Sequence, residues 1–342
     1  MSLVRRILLA FTTKVTESMK MDSPTNSRRD LPIVLSFIRP IEDIVCVLDG
    51  YALVYTDDSP ELNRILPKVA VALCYGQLSR LGEMKTLKMI QAATAGVDGL
   101  PWKEIPEHVT VCGNPGSNAD AVAEHAWSLI LCQVHNLHVH MWNLKNGVFD
   151  KSPGIGILTG KTIGIIGLGS VGRRVAEIAR AFGMRVMGIT RSGTSAFSCD
   201  FIGGVEDVDH VLGRSDVIVL SMPLTKATKG MIDLRRLKLL KADSVFVNVG
   251  RAELVKREDL SMFLKRNPEF RIALDVWWNA AVDYPKDAAL MKYPNFIGTP
   301  YVAGGFGNSE VMKTMLNAAA VNVARFLRGE NPHNIVDRSE YV

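Results

Sequence analysis

A glycine-rich turn near the middle of the chain carries the clearest chemical signal. Gly167, Gly169 and Gly172 are spaced as GxGxxG and follow the apolar run 163–166. Apolar residues recur at helical spacing afterwards, which predicts a buried strand, a tight turn and a helix start. The first glycine permits the turn, the second lets a pyrophosphate approach the backbone, and the third lets helix and strand pack closely. The predicted dinucleotide contacts are Gly167, Gly169, Ser170, Val171 and Gly172.

The segment after the next strand bears on which dinucleotide binds. The predicted strand Arg185–Ile189 is followed by Thr190, Arg191 and Ser192, without a carboxylate. NAD-selective sites usually place an acidic residue there, because it accepts hydrogen bonds from the ribose hydroxyls. A carboxylate would repel a 2′-phosphate, whereas an arginine with two hydroxyls can bind one. The sequence therefore predicts NADP(H), and a polar loop with relaxed selectivity, which would also admit NAD, remains the alternative.

Two sets of strands must position these residues. Regular alternation of strands and helices from Lys161 onward predicts a doubly wound sheet. Its strands are expected at Thr162–Ile166, Arg185–Ile189, Asp216–Ser221, Ser244–Asn248, Arg271–Val276 and Asn295–Gly298. Continuous apolar runs before the glycine turn predict another parallel sheet covered on both faces. Those runs are Leu31–Phe37, Tyr51–Tyr55, Val69–Cys74, Leu87–Ala92 and Val109–Cys112.

We therefore predict an α/β protein of two doubly wound parallel-sheet domains with a cleft between them. A flavodoxin-like substrate domain is expected to comprise residues 1–118 and 302–342, and a Rossmann cofactor domain residues 119–301. The last helix, near Asn308–Arg328, would cross back to complete the first domain. One long helix is predicted from Ala119 to Asn146. The role of residues 1–30, an added surface helix or a disordered lead, stays open.

Bulk composition excludes several classes of function. The chain has 342 residues, a formal net charge of +5 and a 47% hydrophobic content, which is typical of a soluble globular protein. No apolar run is long enough to cross a bilayer. The five cysteines lack a CxxC spacing, which favours reduced cytoplasmic thiols over disulfides or zinc. The basic residues within 229–241 are interpreted as a solvated helix face, so neither nucleic acid nor a membrane is an expected partner. No metal is expected at the histidines within 135–140.

Several motifs in one order carry a family resemblance. They are Thr94–Leu100, Asn114–Ala126, Met222–Thr225 with Thr228, Asn248–Arg251 and Ala273–Val276. Over roughly residues 31–337 the chain resembles the D-isomer-specific 2-hydroxyacid dehydrogenases. The resemblance implies an oxidoreductase that transfers a hydride between a nicotinamide dinucleotide, for which the residues after the second strand predict NADP(H), and a small 2-hydroxy or 2-oxo acid. It also implies a homodimer.

The resemblance assigns roles to individual residues. Arg251 would bind the substrate carboxylate and polarise the 2-oxo group, a task that suits a planar, always-charged guanidinium. The backbone N–H groups of Ala95 and Gly96 would hold the other side of that carboxylate. Asp275 would hydrogen-bond the nicotinamide carboxamide. The remaining implied cofactor contacts are Met222, Pro223, Thr228 and Val249.

The chain departs from this family where the proton is transferred. The family has a histidine in a Thr-Pro-His segment, and this chain has Tyr301 there. The glutamate that pairs with this histidine in the family is also missing. Its position falls on Ala280 or on Tyr284, depending on which end of the motif is aligned, and Asp283 is next to Tyr284. Two outcomes stay open. Tyr301 could act as the general acid, although its ordinary pKa near ~10 makes it weak. Alternatively, the chain could be a catalytically impaired regulatory or interaction protein that binds a dinucleotide; we favour a working enzyme because the positioning residues are intact.

Overall fold

The computed structural model describes residues 31–38, 47–48, 50–55, 60–278 and 284–342. The two hypotheses for residues 1–30 lie outside this part of the chain. Ala280, Asp283 and the side chain of Tyr284 also lie outside it. The structure therefore does not describe the position at which the family carries its glutamate.

The first sheet has five parallel strands in the order β2-β1-β3-β4-β5. This is the order of flavodoxin-like sheets. Each strand lies within one of the five predicted apolar runs, so this half of the fold is confirmed. The strands are β1 (Ile33–Ser36), β2 (Ala52–Tyr55), β3 (Val69–Cys74), β4 (Met89–Ala92) and β5 (Thr110–Cys112).

The second sheet has seven parallel strands in the order β12-β11-β10-β9-β6-β7-β8. The order reverses between β6 and β9, which is the point where such sheets bind ligands. Six of the strands were predicted, and the three-residue β8 was missed because it is short and follows a polar loop. The strands are β6 (Thr162–Ile166), β7 (Arg185–Ile189), β8 (Phe201–Gly203), β9 (Val217–Leu220), β10 (Val245–Asn248), β11 (Arg271–Leu274) and β12 (Phe296–Gly298).

Helices cover both sheets among the described residues. They are α1 (Pro60–Ile65), α2 (Ala119–Val134), α3 (Leu137–Lys145), α4 (Ser170–Ala181), α5 (Val208–Arg214), α6 (Leu234–Leu237), α7 (Arg257–Arg266), α8 (Tyr284–Ala288) and α9 (Ser309–Leu327). Short 3₁₀ turns occur at Leu66–Lys68, Leu81–Glu83, Val205–Asp207, Ala252–Leu254, Ala289–Lys292 and Arg338–Glu340. None of the described helices combines the length and the apolar character that crossing a membrane requires.

One helix prediction was wrong. The single helix expected from Ala119 to Asn146 is two helices, α2 and α3, because Asn136 has a left-handed backbone with φ +49°. Residues other than glycine rarely adopt this backbone conformation, and asparagine tolerates it better than most residues. The side-chain amide of Asn136 donates to the carbonyl of Gly154, which holds the break in place.

The apolar core lies on both faces of each sheet. Successive residues of β6 alternate between layers: Ile166 packs with Ile218 and Phe246, while Ile165 packs with Val219 on the opposite face. All of these side chains are fully buried. A strand covered on both faces reads as a continuous apolar run, which explains why the sequence marked it clearly.

The last long helix packs against the first sheet. Leu316 of α9 is fully buried beside Val34 and Val71, and the amide of Asn322 donates to Oε1 of Gln91 at 2.7 Å. Residues 334–336 then run along the sheet edge, where Ile335 bridges β5. This packing supports the proposed division into 1–118 with 302–342 and 119–301, which stays a prediction.

Candidate active site

In the glycine turn between β6 and α4, two glycines leave no room for a side chain and the third borders open space. Gly167 has φ +107°, and a Cβ there would lie 2.6 Å from the backbone nitrogen of Met222. A Cβ on Gly172 would collide with the carbonyl oxygen of Gly167. A Cβ on Gly169 would meet nothing within 4 Å, so solvent space borders the backbone there. The turn has the shape that a pyrophosphate needs for close approach.

The start of α4 adds charge to this turn. Gly169 is the N-cap and brings no side chain, and the first turn contains no acidic residue. The first N–H groups of a helix have no intrahelical acceptor and carry a partial positive charge. Ser170 is exposed and Val171 is half-buried beside them. The described residues therefore fit the phosphates of a dinucleotide.

The turn after β7 presents one cation to solvent. The hydroxyl of Thr190 donates to the carbonyl of Thr194 at 3.0 Å, and Ser192 Oγ lies 3.0 Å from Thr194 Oγ1. These two hydroxyls shape the turn. The side chain of Arg191 is 82% exposed, and its guanidinium pairs with the carboxylate of Glu340, which comes from the far end of the chain. No local sequence signal connects Glu340 to this turn.

The loop after β9 covers the glycine turn. Met222 is buried against Gly167, and Pro223 is exposed. The hydroxyl of Thr228 donates to the carbonyl of Pro223 at 2.7 Å and accepts from the backbone N–H of Thr225 at 2.8 Å. Thr228 therefore fixes the shape of this loop. Val249, directly after β10, is half-buried, and its N–H donates to the carbonyl of Leu220.

Arg251 reaches from the end of β10 to the loop after β4. The buried side chain of Asn248 shapes the turn before it, since its amide donates to the carbonyl of Arg251 at 2.8 Å. The Nε of Arg251 lies 3.1 Å from both carboxylate oxygens of Asp98. Its Nη2 lies so close to Gly96 that any Cβ there would collide with it. The structure thus brings together Arg251 and Gly96, which the resemblance had assigned to one carboxylate.

The backbone beside this arginine is suited to an anion. Among the described residues, the N–H groups of Ala95 and Gly96 find no hydrogen-bond acceptor. Ala95 is exposed. A nearby groove of about 410 Å³ is lined by Phe37, Gln77, Leu78, Ser79, Gly99 and Pro101. These two N–H groups and the guanidinium lie beside a groove at the carboxyl edge of the first sheet, an arrangement that suits an anion.

Tyr301 lies in the segment that follows β12 and leads to α9. Its backbone is left-handed, with φ +58°, and its N–H donates to the carbonyl of Asp275 at 3.0 Å. The hydroxyl donates to the carbonyl of Trp277 at 3.0 Å, and the residue is 42% exposed. Burial raises the pKa of Tyr301 above 10.0; the charge of Glu253 acts in the same direction, and Arg251 acts against it. The phenol therefore keeps its proton at neutral pH.

Asp275 has a structural task that the sequence did not indicate. Its buried carboxylate accepts from the hydroxyl of Thr299 at 2.7 Å and from the N–H groups of Val302 at 3.0 Å and Ala303 at 2.9 Å. His125 joins this network, with its Nε2 2.9 Å from Thr299 Oγ1. The carboxylate thus holds the segment after β12 in place. The predicted contact of Asp275 with a nicotinamide carboxamide stays a prediction.

Two tryptophans beside the site, Trp277 and Trp278, are held by contacts within the protein. Trp277 is buried next to Phe296, and its indole N–H donates to the carbonyl of Thr299 at 2.8 Å. Trp278 donates to the carbonyl of Val255 at 3.0 Å. Within the described ranges, no three histidine, cysteine or acidic side chains are grouped as a metal site requires.

Two doubly wound sheets and a glycine turn shaped for a dinucleotide define a two-domain α/β dinucleotide-binding protein. Residues 127–303, more than half of the chain, match the model of the D-isomer specific 2-hydroxyacid dehydrogenase NAD-binding domain. The chain belongs to this family, and a nicotinamide dinucleotide is the cofactor that this domain binds.

Named relatives agree with this assignment. The chain is 32% identical over 257 residues to D-3-phosphoglycerate dehydrogenase of Methanocaldococcus jannaschii, a match that covers 73% of this chain and 48%, about half, of that relative. It is 30% identical to glyoxylate reductase of Aeropyrum pernix, over 75% of this chain and 78% of the relative. A crystal structure of a candidate formate dehydrogenase from Pyrobaculum aerophilum is 35% identical, with a TM-score of 0.80 over 90% of this chain and 99% of that one.

Replacing Gly169 separates dinucleotide binding from folding. Because the space at its Cβ is open, Gly169→Ala should leave the melting temperature unchanged. The methyl group would enter the space that a pyrophosphate requires, so we expect NADPH affinity to fall about tenfold or more. Fluorescence titration with NADPH measures this, and Gly154→Ala, also in open space, is the control. Unchanged NADPH affinity in Gly169→Ala would contradict our assignment of the turn.

Proposed function

We propose that this protein is an NADP(H)-dependent oxidoreductase that interconverts a small 2-oxo acid and its 2-hydroxy acid. The observation that carries the proposal is the position of Arg251. Its guanidinium lies against Gly96, beside backbone donors that have no acceptor among the described residues. A guanidinium and two N–H groups together recognise a carboxylate, and the glycine turn lies at the carboxyl edge of the same sheet as β10.

Each residue has a defined task in the reduction. A bound nicotinamide dinucleotide supplies the hydride to the carbonyl carbon. Arg251 and the N–H groups of Ala95 and Gly96 hold the substrate carboxylate, and the arginine charge stabilises the negative charge that develops on the 2-oxo oxygen. Tyr301 turns its hydroxyl away from the carbonyl of Trp277 and gives its proton to that oxygen, so its own O–H bond breaks as the new one forms. Solvent then returns a proton to the phenolate.

Asp98 positions the arginine. Both of its oxygens face Nε of Arg251, and the carbonyl of Gly250 accepts from Nη1 at 2.9 Å. These contacts fix the plane of the guanidinium and direct Nη2 toward Gly96. A prepositioned charged donor loses little entropy when the substrate binds. The electrostatic cost of a nearby carboxylate is offset by this orientation.

The cofactor preference rests on Arg191. It is the exposed cation at the end of β7, where NAD-selective sites carry an acidic residue. A 2′-phosphate can form charge-assisted hydrogen bonds with its guanidinium. Thr190 and Ser192 support the arginine by shaping the turn. The alternative, a catalytically impaired regulatory or interaction protein, has no particular contact of the described residues in its favour.

The surface around α3 supports a homodimer. No residue of α3 is buried, and the segment that follows it is also rich in exposed apolar side chains. These side chains are Leu137, Met141, Trp142, Leu144, Val148, Phe149, Ile155 and Ile157. An apolar surface of this extent is typical of an interface. We place the protein in the cytoplasm, in keeping with the free cysteines among the described residues.

Turnover and its dependence on Arg251 test the proposed reaction. The protein should oxidise NADPH in the presence of one or more of a panel of small 2-oxo acids. Arg251→Lys keeps the charge but loses the planar fork, so we expect kcat/KM to fall by about 10²-fold with NADPH affinity unchanged. Arg235→Lys, at an exposed ion pair with Asp209, is the control. NADPH binding without turnover on any acid would support the non-catalytic alternative instead.

The pH profile identifies the proton donor. Because the pKa of Tyr301 is raised, the protonated form persists through neutral pH, and the reduction rate should stay level from about pH 6 to 9 and fall only above pH 10. A histidine donor would instead lose its proton near pH 6.5. Tyr301→Phe should lower kcat by about 10²-fold, and Tyr293→Phe in the core should not. An undiminished rate in Tyr301→Phe would remove this residue from the mechanism.

Replacing Arg191 tests the cofactor preference. Arg191→Ala should weaken NADPH binding by about tenfold or more, because charged hydrogen bonds to the 2′-phosphate are lost. NADH binding should hardly change. Arg191→Lys, which keeps the charge, should fall between the two proteins. Equal losses for NADPH and NADH would show that Arg191 does not select the cofactor.

The apolar surface around α3 can be tested in solution. The double variant Trp142→Glu and Phe149→Asp places charges at side chains that are 69% and 80% exposed, so the fold should survive. We expect light scattering to show a dimer for the unmodified protein and a monomer for this variant. Met262→Asp changes an isolated exposed methionine and should leave the dimer intact. A monomeric unmodified protein would contradict the dimer.

A further inference from the structure

Residues 337–342, which we call the bridge segment, extend from the first sheet to the loops of the second. On the first-sheet side, the guanidinium of Arg338 donates to the carbonyls of Trp102 at 3.1 Å and Pro106 at 3.2 Å. The ring of Tyr341 stacks on Trp102, with centroids 4.6 Å apart and an interplanar angle of 9°. These contacts anchor the segment on the substrate side.

The other face of the bridge segment meets two cofactor loops. The backbone N–H of Lys226 donates to the carbonyl of Glu340 at 3.0 Å, and the Lys226 ammonium contacts the carbonyl of Val342. Lys226 directly follows Met222–Thr225, the loop that packs on the glycine turn. The carboxylate of Glu340 pairs with Arg191. One short segment therefore contacts both the loop after β7 and the loop after β9.

The Glu340 carboxylate lies at the guanidinium that the proposed function gives to a 2′-phosphate. Arg191 is 82% exposed, so the pair is open to solvent and to competition from another anion. A phosphate placed there would displace the carboxylate or lie next to it, and like charges repel. An acidic residue at this position is also the feature that lets NAD-selective sites bind the ribose hydroxyls.

We propose that Glu340 is a cofactor-selectivity residue: its carboxylate competes for Arg191, which limits the preference for the 2′-phosphate of NADP(H) and lets NAD(H) bind as well. This role of Glu340 rests on the proposed function, since it requires a nicotinamide dinucleotide at the glycine turn. With NAD(H), the Arg191–Glu340 pair stays intact, and the carboxylate is available to the ribose hydroxyls. With NADP(H), the 2′-phosphate takes over the guanidinium and Glu340 turns away. The balance between the two cofactors thus depends on a residue from the opposite domain.

Glu340→Gln tests this role, with Kd measured for NADPH and NADH by fluorescence titration. Removal of the competing charge should tighten NADPH binding by about fivefold, which corresponds to about 1 kcal/mol, while NADH binding stays the same or weakens. Glu330→Gln removes an exposed carboxylate that pairs with Arg328, and it should change neither constant. In an Arg191→Ala background, Glu340→Gln should lose its effect on NADPH.

The outcomes separate the selectivity role from the proposed function. If Arg191→Ala weakens NADPH binding but Glu340→Gln leaves it unchanged, the site assignment stands and the selectivity role of Glu340 is wrong. Equal tightening of NADPH and NADH in Glu340→Gln would show that the segment obstructs every dinucleotide, which also overturns the role. Weaker NADPH binding would show that Glu340 helps to hold the cofactor and would overturn it too. If neither cofactor binds the unmodified protein, the proposed function itself fails.

Discussion

The path of the chain from the second sheet to α9 depends on a buried carboxylate. Asp275 is 3% exposed, and a buried charge is stable only when donors surround it. Three donors from residues 299–303 fill this need, so the chain can leave the second sheet along only one path. That path places Tyr301 in its left-handed conformation and delivers the chain to α9. His125 of α2 joins the same network, so α2 and the segment after β12 meet at one group.

Two close approaches build the site on this frame. The backbone of Gly167 packs against Met222, and the guanidinium of Arg251 packs against Gly96. The contact at Gly167 is with the backbone and leaves no room for a side chain, so it requires glycine, whereas a Cβ at Gly96 would displace the guanidinium of Arg251. The first contact aligns the cofactor turn with its covering loop, and the second joins residues of different sheets.

The sequence revealed most of the fold because buried parallel strands read as uninterrupted apolar runs. Eleven of the described strands were anticipated in this way, whereas β8 has only three residues, and a run that short does not stand out from a loop. The break between α2 and α3 was missed because both helices continue one apolar pattern, and the left-handed Asn136 follows from local packing with residue Gly154. Glycine spacing predicted the turn, but not that Asp98 would hold Arg251 or that Thr228 would brace its loop.

By itself, the sequence determined the two-sheet architecture and the dinucleotide turn. These features follow from local spacing, since apolar periodicity and glycine positions act over a few residues, whereas the role of Arg251 came from the family resemblance. Only the tertiary structure decided which charges meet. Glu340 is separated from Arg191 by 149 residues, and Arg251 from Asp98 by 153, so no local pattern relates them. The absence of a carboxylate after β7 was a correct reading of the sequence, yet the folded chain returns one to that point, because electrostatic partners are set by distance in space.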